Sequence, residues 1–257
     1  MPDALSYAIL GRGRWAQRMR AILEGEGRRV VTVQGTRRKN SETDAEYKSR
    51  LVTSLTASGA QVAWLCVSPG PHISLMLESA TAAGLHSVAE KPWQCPRATS
   101  ESLTAQARAK NCLIAIHTQY CLLAEAEAWR HDFRNAAGLR FSGHFALKHA
   151  GRLGIAALDD LGSHLLAIRT YAVPQSTISE ICCGYEMPDE RRVWLEEHGR
   201  EVASIDFLNR NEPVIQRFIH RLEAGIAGAE FPFDLEFASR VADDLEALKA
   251  RGDRISA

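Results

Sequence analysis

The chain has 257 residues, 46% of them hydrophobic and 24% charged, and its 31 basic side chains are matched by 31 acidic ones. Zero net charge excludes an overall field that would draw the protein onto nucleic acid or an anionic membrane, so a small-molecule substrate is expected. The apolar fraction excludes a disordered or fibrous chain, and six cysteines without a C-x-x-C pair exclude a disulfide framework or zinc ribbon.

At roughly 150 residues per domain, this length predicts two domains. "ALSYAIL" near the start is too short for a secretory h-region, and no run approaches the ~18 apolar residues of a membrane helix. A cytoplasmic location is expected. Residues 5–10, "LSYAIL", read as a strand ending at Gly11, and "WAQRMRAILEGEG" has helical spacing at Trp15, Met19, Ile22 and Leu23. "RRVVTVQG" is a second strand, residues 41–58 a helix, and "QVAWLCVS" an almost continuous apolar run of the kind buried on both faces. "PHISLMLESATAAG" continues as helix, "LHSVAE" as strand, "TSESLTAQARAKN" as helix capped by Thr99 or Ser100, and "CLIAIHT" as strand. This alternation predicts a Rossmann-type parallel sheet over residues 1–120.

From 121 to 257 the rhythm changes. "EAEAWRHDFRNAA" is helical, "GLRFSGHFALKH" alternates with period two, and "DLGSHLLAIRTYA" is helical again. "STISEICCGYE", "RRVWLEE" and "EVASIDFLN" read as successive antiparallel strands, and helices close the chain at about 212–227 and 233–250. The fold class is α/β, with an N-terminal dinucleotide-binding domain followed by an α+β domain with an open antiparallel sheet. One sheet face is expected against a helix; the other, apolar, is expected to bury itself in a homodimer or homotetramer.

"GRGRWA", residues 11–16, has the G-x-G-x-x-A form between a strand and a helix. Gly11 permits the tight turn, Gly13 admits a pyrophosphate to the helix start, and Ala16 allows close helix packing. Arg14 and Trp15 lie within the same turn. Where an NAD enzyme places an acid for the ribose, this chain has Gln34, Gly35, Thr36, Arg37 and Arg38. A hydroxyl and two guanidiniums suit a 2′-phosphate, so NADP(H) is the expected cofactor ahead of NAD(H); solvated turn charges are the plainer reading of Arg37 and Arg38. In "CVSPGPHIS" Ser68 and Pro69 can pack along the dinucleotide, and His72 either faces it or starts the next helix.

"AEKPW" places Lys91 at the end of a strand that should open onto this crevice. Pro92 fixes the backbone beside it, so the ammonium can be aimed, partly desolvated and hydrogen-bonded to a substrate oxygen on which negative charge develops. In "LDDLGSH" Asp160 and His164 are four apart and share one helix face. The imidazole can exchange a proton near neutral pH and the carboxylate can orient it or bind a hydroxyl; a helix-start acid and a core histidine are the plainer readings. An i,i+4 Asp/His pair can also hold a metal, but no further ligand keeps clear spacing with it, and no metal site is expected.

The combination of "GRGRWA", "CVSPGPH", "EKPW" and "LDDLGSH", in that order, resembles the glucose-fructose oxidoreductase / inositol dehydrogenase / MocA (Gfo/Idh/MocA) family over most of the chain, with a shortened C-terminal domain. The resemblance implies an NAD(P)-dependent oxidoreductase in which Lys91, Asp160 and His164 are catalytic, Glu90 lies on the cofactor side and the Lys91–Pro92 peptide is cis. It implies hydride transfer at a hydroxyl/carbonyl carbon of a small sugar-like, cyclitol-like or related biosynthetic substrate, or reduction of an imine. His117, Thr118, Gln119 and Tyr120 stand where the family usually carries an Asn- or Arg-containing segment, so specificity is left open. Lys148 and His149 can line the pocket or be strand-end solvent groups, and Trp93 is expected to pack beneath the lysine loop. The rivals are a non-catalytic NADP-binding regulator or sensor on the same fold, and a scaffold partner using its sheet face.

Overall fold

Short apolar runs bounded by glycine and proline organise the first half of the chain into five strands separated by four helices. These are β1 (Ser6–Leu10), α1 (Arg14–Gly25), β2 (Arg29–Gln34), α2 (Asp44–Ser58), β3 (Val62–Leu65), α3 (His72–Ala82), β4 (His86–Glu90), α4 (Arg97–Ala109) and β5 (Ile114–His117). The computed structural model describes residues 5–34, 37–151, 155–208 and 213–251. All five strands are parallel, in the order β2-β1-β3-β4-β5. Every residue of β1, β3 and β5 is buried, as a sheet covered on both faces requires. The strand order reverses between β1 and β3, and the crevice outside their carboxyl ends is where such sheets bind ligands.

Two helices start away from their expected positions for local chemical reasons. α2 begins at Asp44 because Thr43 and Glu46 form a reciprocal capping box. α4 begins at Arg97 behind Pro96, not after Thr99 or Ser100. The Ser100 hydroxyl is instead buried in the first turn, where it accepts the Trp93 indole N–H at 2.9 Å.

The second unit holds a 3₁₀ turn (Gln119–Leu122), α5 (Ala124–Asp132), β6 (Arg140–Leu147), a π-helical turn (Leu158–Gly162), α6 (Ser163–Ala172), β7 (Thr177–Tyr185), β8 (Glu190–Glu197) and β9 (Arg200–Asp206). Its sheet runs β7-β6-β8-β9. Contrary to the antiparallel sheet expected, it is mixed: β6 pairs with β8, and β8 with β9, in antiparallel fashion, but β6 and β7 are parallel. The cause is α6, which lies between β6 and β7 in the chain and carries it back to the end from which it started.

Phe141, Gly143, Phe145, Val193, Leu195 and Ile205 bury the inner face, and Gly143 sits so close to Leu165 of α6 that a Cβ there would lie 3.2 Å from its methyl. The outer face is not the apolar surface expected. It carries His144 beside Glu190 at 3.2 Å, Arg192 on Glu201 at 2.6 Å, and Trp194 edge-on to His144 at 5.0 Å. Cross-strand polar pairs link the strands on this face. Cys182 and Cys183, adjacent on β7, lie on alternate faces, Cys183 being the buried one.

Two helices close the chain, α7 (Val214–Ile226) and α8 (Leu235–Arg251). By its contacts the chain divides into Met1–His117 with Phe218–Ser239, and Thr118–Arg217 with Arg240–Ala257. The segment from Phe218 thus returns to the first unit, which a single boundary at residue 120 does not capture. Phe218, Leu222, Phe233 and Phe237 are buried there, the Ile116 N–H donates to the Phe233 carbonyl at 2.8 Å, and Glu223 accepts from Tyr7 Oη at 2.8 Å and Arg28 Nη2 at 2.7 Å.

Candidate active site

The glycine turn lies at the point where the strand order reverses. Gly11 follows β1 with φ +130°, and a Cβ on it would stand 2.3 Å from the Cys66 carbonyl oxygen. Only glycine lets the ends of β1 and β3 approach this closely. Gly13 is the N-cap of α1, has no side chain to cap it, and a Cβ there would meet nothing within 4 Å. The space before the helix start is therefore open, the first-turn amides face it, and no acidic residue stands in that turn. This donor set fits a pyrophosphate. Ala16 is buried against the sheet, Trp15 is half-buried and Arg14 is exposed.

The other residues expected on the cofactor side divide. Ser68 and His72 are exposed, Pro69 is half-buried, and His72 is the first residue of α3. Arg37 is exposed; Arg38 pairs with Asp44 at 2.6 Å and donates to the Glu42 carbonyl at 2.6 Å. Such exposed contacts are weak and readily exchanged for a phosphate. Thr36 lies outside the described residues.

β4 ends at Glu90, and Lys91 follows it, 9% exposed, in a cis Lys91–Pro92 peptide. Trp93 is buried beneath, held by Ser100. Glu90 is not directed at open space. Its Oε1 accepts the indole N–H groups of Trp15 at 2.6 Å and Trp64 at 3.1 Å, and His117 Nδ1 lies 3.2 Å away. Burial alone would push this carboxyl up, but the facing His117 and the two indole donors outweigh it and hold the group below the usual carboxylate range. The carboxylate placed on the cofactor side by resemblance is thus occupied by three rings of its own unit.

In the second unit Asp160 lies in the π-helical turn and His164 in the first turn of α6, at 5% and 7% exposure. Single π turns inside helices recur at functional sites, because the extra residue re-aims the side chains around it. Tyr185, from the end of β7, donates its hydroxyl to Asp160 Oδ2 at 2.7 Å. The neighbouring Asp159 is turned to Lys249 at 2.7 Å, so the two acids of "LDDLG" serve different partners. The His164 ring is flanked by Tyr120, edge-on at 4.8 Å, and Phe145 at 5.6 Å, with Phe207 behind Tyr120 at 5.1 Å. Sequence reasoning singled out neither Tyr185 nor the contact of Tyr120 with His164. Lys148 and His149 are exposed at the end of β6. Among the described residues no group of three or more His, Cys, Asp and Glu is arranged to hold a metal ion, and no helix is long and apolar enough to cross a membrane.

No protein-family model matches the sequence, and no curated protein does. Solved structures do. The UDP-N-acetylglucosamine 3-dehydrogenase of Acidithiobacillus ferrooxidans is similar with a TM-score of 0.78 and 17% identity, over 96% of this chain and 97% of that one. The WlbA dehydrogenase of Thermus thermophilus, solved with NAD and α-ketoglutarate, gives 0.74 and 11%, over 98% and 97%. A 3-ketoreductase of Actinomadura kijaniata, solved with NADP, gives 0.69 and 13%, over 96% and 98%. These are two dehydrogenases and a ketoreductase, and likeness at such identity shows the fold alone: a Rossmann-like parallel sheet with its helices, plus a second, mixed sheet.

Proposed function

We propose that the protein is an NAD(P)-dependent oxidoreductase acting at the hydroxyl/carbonyl carbon of a small sugar-like, cyclitol-like or related substrate, with an imine as a variant. The observation that carries this reading is the open approach to Gly13 at the start of α1, in a fold whose solved examples include an NAD-bound dehydrogenase and an NADP-bound ketoreductase. A bound nicotinamide supplies or accepts the hydride. The Lys91 ammonium, nearly withdrawn from water, hydrogen-bonds the substrate oxygen and stabilises the negative charge that develops on it. His164 gives that oxygen its proton in reduction and takes it in oxidation. Asp160, fixed by Tyr185, positions the substrate or the imidazole. Arg37 and Arg38, with no carboxylate directly after β2, favour NADP(H) over NAD(H).

The test is turnover of NADPH and NADH with a panel of sugar aldehydes, ketoses and cyclic imines, followed at the nicotinamide absorbance. Turnover of at least one compound, lost in Lys91→Met while coenzyme still binds, is the expected result. Tight coenzyme binding with no turnover across the panel overturns it in favour of a sensor on the same fold.

A further inference from the structure

We infer that Glu90 is a positioning residue for the coenzyme-binding turn, acting through Trp15 rather than touching the coenzyme. The inference rests on the reading of the glycine turn given above. The N-cap of α1 is Gly13, so no side chain caps the helix where the first-turn amides must be aimed. Trp15, the second residue of that helix, supplies an anchor by another route. Its indole N–H reaches Glu90, the last residue of β4, at 2.6 Å. β3 lies between β1 and β4 in the sheet, and its Trp64 donates to the same carboxylate oxygen at 3.1 Å.

The third ring is His117 of β5. It is wholly buried, lies against Trp15 at 5.9 Å and edge-on to Trp64 and Phe218, and its Nε2 has no hydrogen-bond partner. Its Nδ1 faces Glu90 Oε1 at 3.2 Å. Glu90 accepts from two indole N–H groups and faces the imidazole, which together hold its carboxyl below the usual range. Rings from α1, β3 and β5 converge on one carboxylate from β4, immediately before Lys91. Rotating Trp15 out of this cluster breaks a charge-assisted hydrogen bond and exposes a buried anion, so the indole is held, and with it the Trp15 backbone N–H in the first turn.

A core polar cluster that serves stability alone makes a different prediction, because Trp15 and Trp64 donate to the same atom. The test is the Kd for NADPH and NADH, by fluorescence titration, of the wild type, Trp15→Phe, Trp64→Phe, Glu90→Gln and the Trp15→Phe/Glu90→Gln pair, with circular dichroism confirming that each is folded. Trp15→Phe is expected to weaken the coenzyme roughly tenfold, the scale of one lost hydrogen bond to a charged group, and Trp64→Phe less than about twofold. Glu90→Gln should resemble Trp15→Phe, and the pair should be no weaker than either, since both remove one link. Unchanged affinity in Trp15→Phe, equal effects of the two tryptophans, or additive losses in the pair overturn the inference and leave the coenzyme reading standing. A wild type that binds neither NADPH nor NADH overturns both.

Discussion

In the first sheet β1, β3 and β5 bury every residue, whereas in the second β8 buries only alternate residues, Val193 and Leu195, and the outer face carries polar cross-strand pairs. The difference shows where each can host chemistry. A sheet covered on both faces leaves only its carboxyl edge free, and Gly11, Gly13 and Lys91 all lie on that edge. A sheet with one helix-covered face works through that helix, and Asp160 and His164 are on the segment leading into and starting α6.

The sharpest break in the comparison is expected at Gly11. Gly11→Ala forces a Cβ to 2.3 Å from the Cys66 carbonyl at φ +130°, and it should cost more than about 4 kcal/mol or abolish folding, seen as a collapse of the denaturant midpoint. At the same edge, Lys91→Met should lower turnover by about 10²–10⁴ with coenzyme affinity little changed, and His164→Ala should do the same from the other unit. Inside the second sheet, Leu195→Ala should cost about 2–5 kcal/mol in equilibrium unfolding.

Smaller again is Glu223, where the returning segment meets Tyr7 and Arg28. Burial pushes its carboxyl up, but the Arg28 and Tyr7 hydrogen bonds outweigh burial and hold it below its ordinary value. A depressed folded pKa stabilises above the unfolded value of about 4.3 and loses that contribution as pH falls through the folded value. Glu223→Gln should therefore be less stable than wild type at pH 7, with the gap closing below about pH 4. The smallest effect is expected on the outer face of the second sheet, where Arg192→Ala should change stability by less than about 1 kcal/mol and less still in high salt.

What could be read from the chain without coordinates follows the range of the forces involved. The glycine turn and the apolar runs of the first sheet were accessible because each depends on neighbouring residues, whereas the cis Lys91–Pro92 peptide was expected only from the family resemblance. The parallel pairing of β6 with β7 was not, since strand direction is decided by the crossover through α6 and not by the strands' own alternation. Ser100 looks like a cap in the sequence, and its use by Trp93 appears only once the lysine loop is folded over it. Trp15 and Glu90 are 75 positions apart, and Asp160 and Tyr185 are 25 apart. Neither spacing has a local signature. A polar outer face on the second sheet was open to inspection in the residues Arg192, Trp194 and Glu196, which alternate with Val193 and Leu195.

The most direct test is a crystal structure of the NADPH complex. The pyrophosphate is expected over Gly13 at the start of α1, with the Lys91 ammonium and the His164 imidazole both turned to the C4 side of the nicotinamide. A pyrophosphate bound elsewhere, or two nitrogens facing different spaces, would contradict the proposed chemistry.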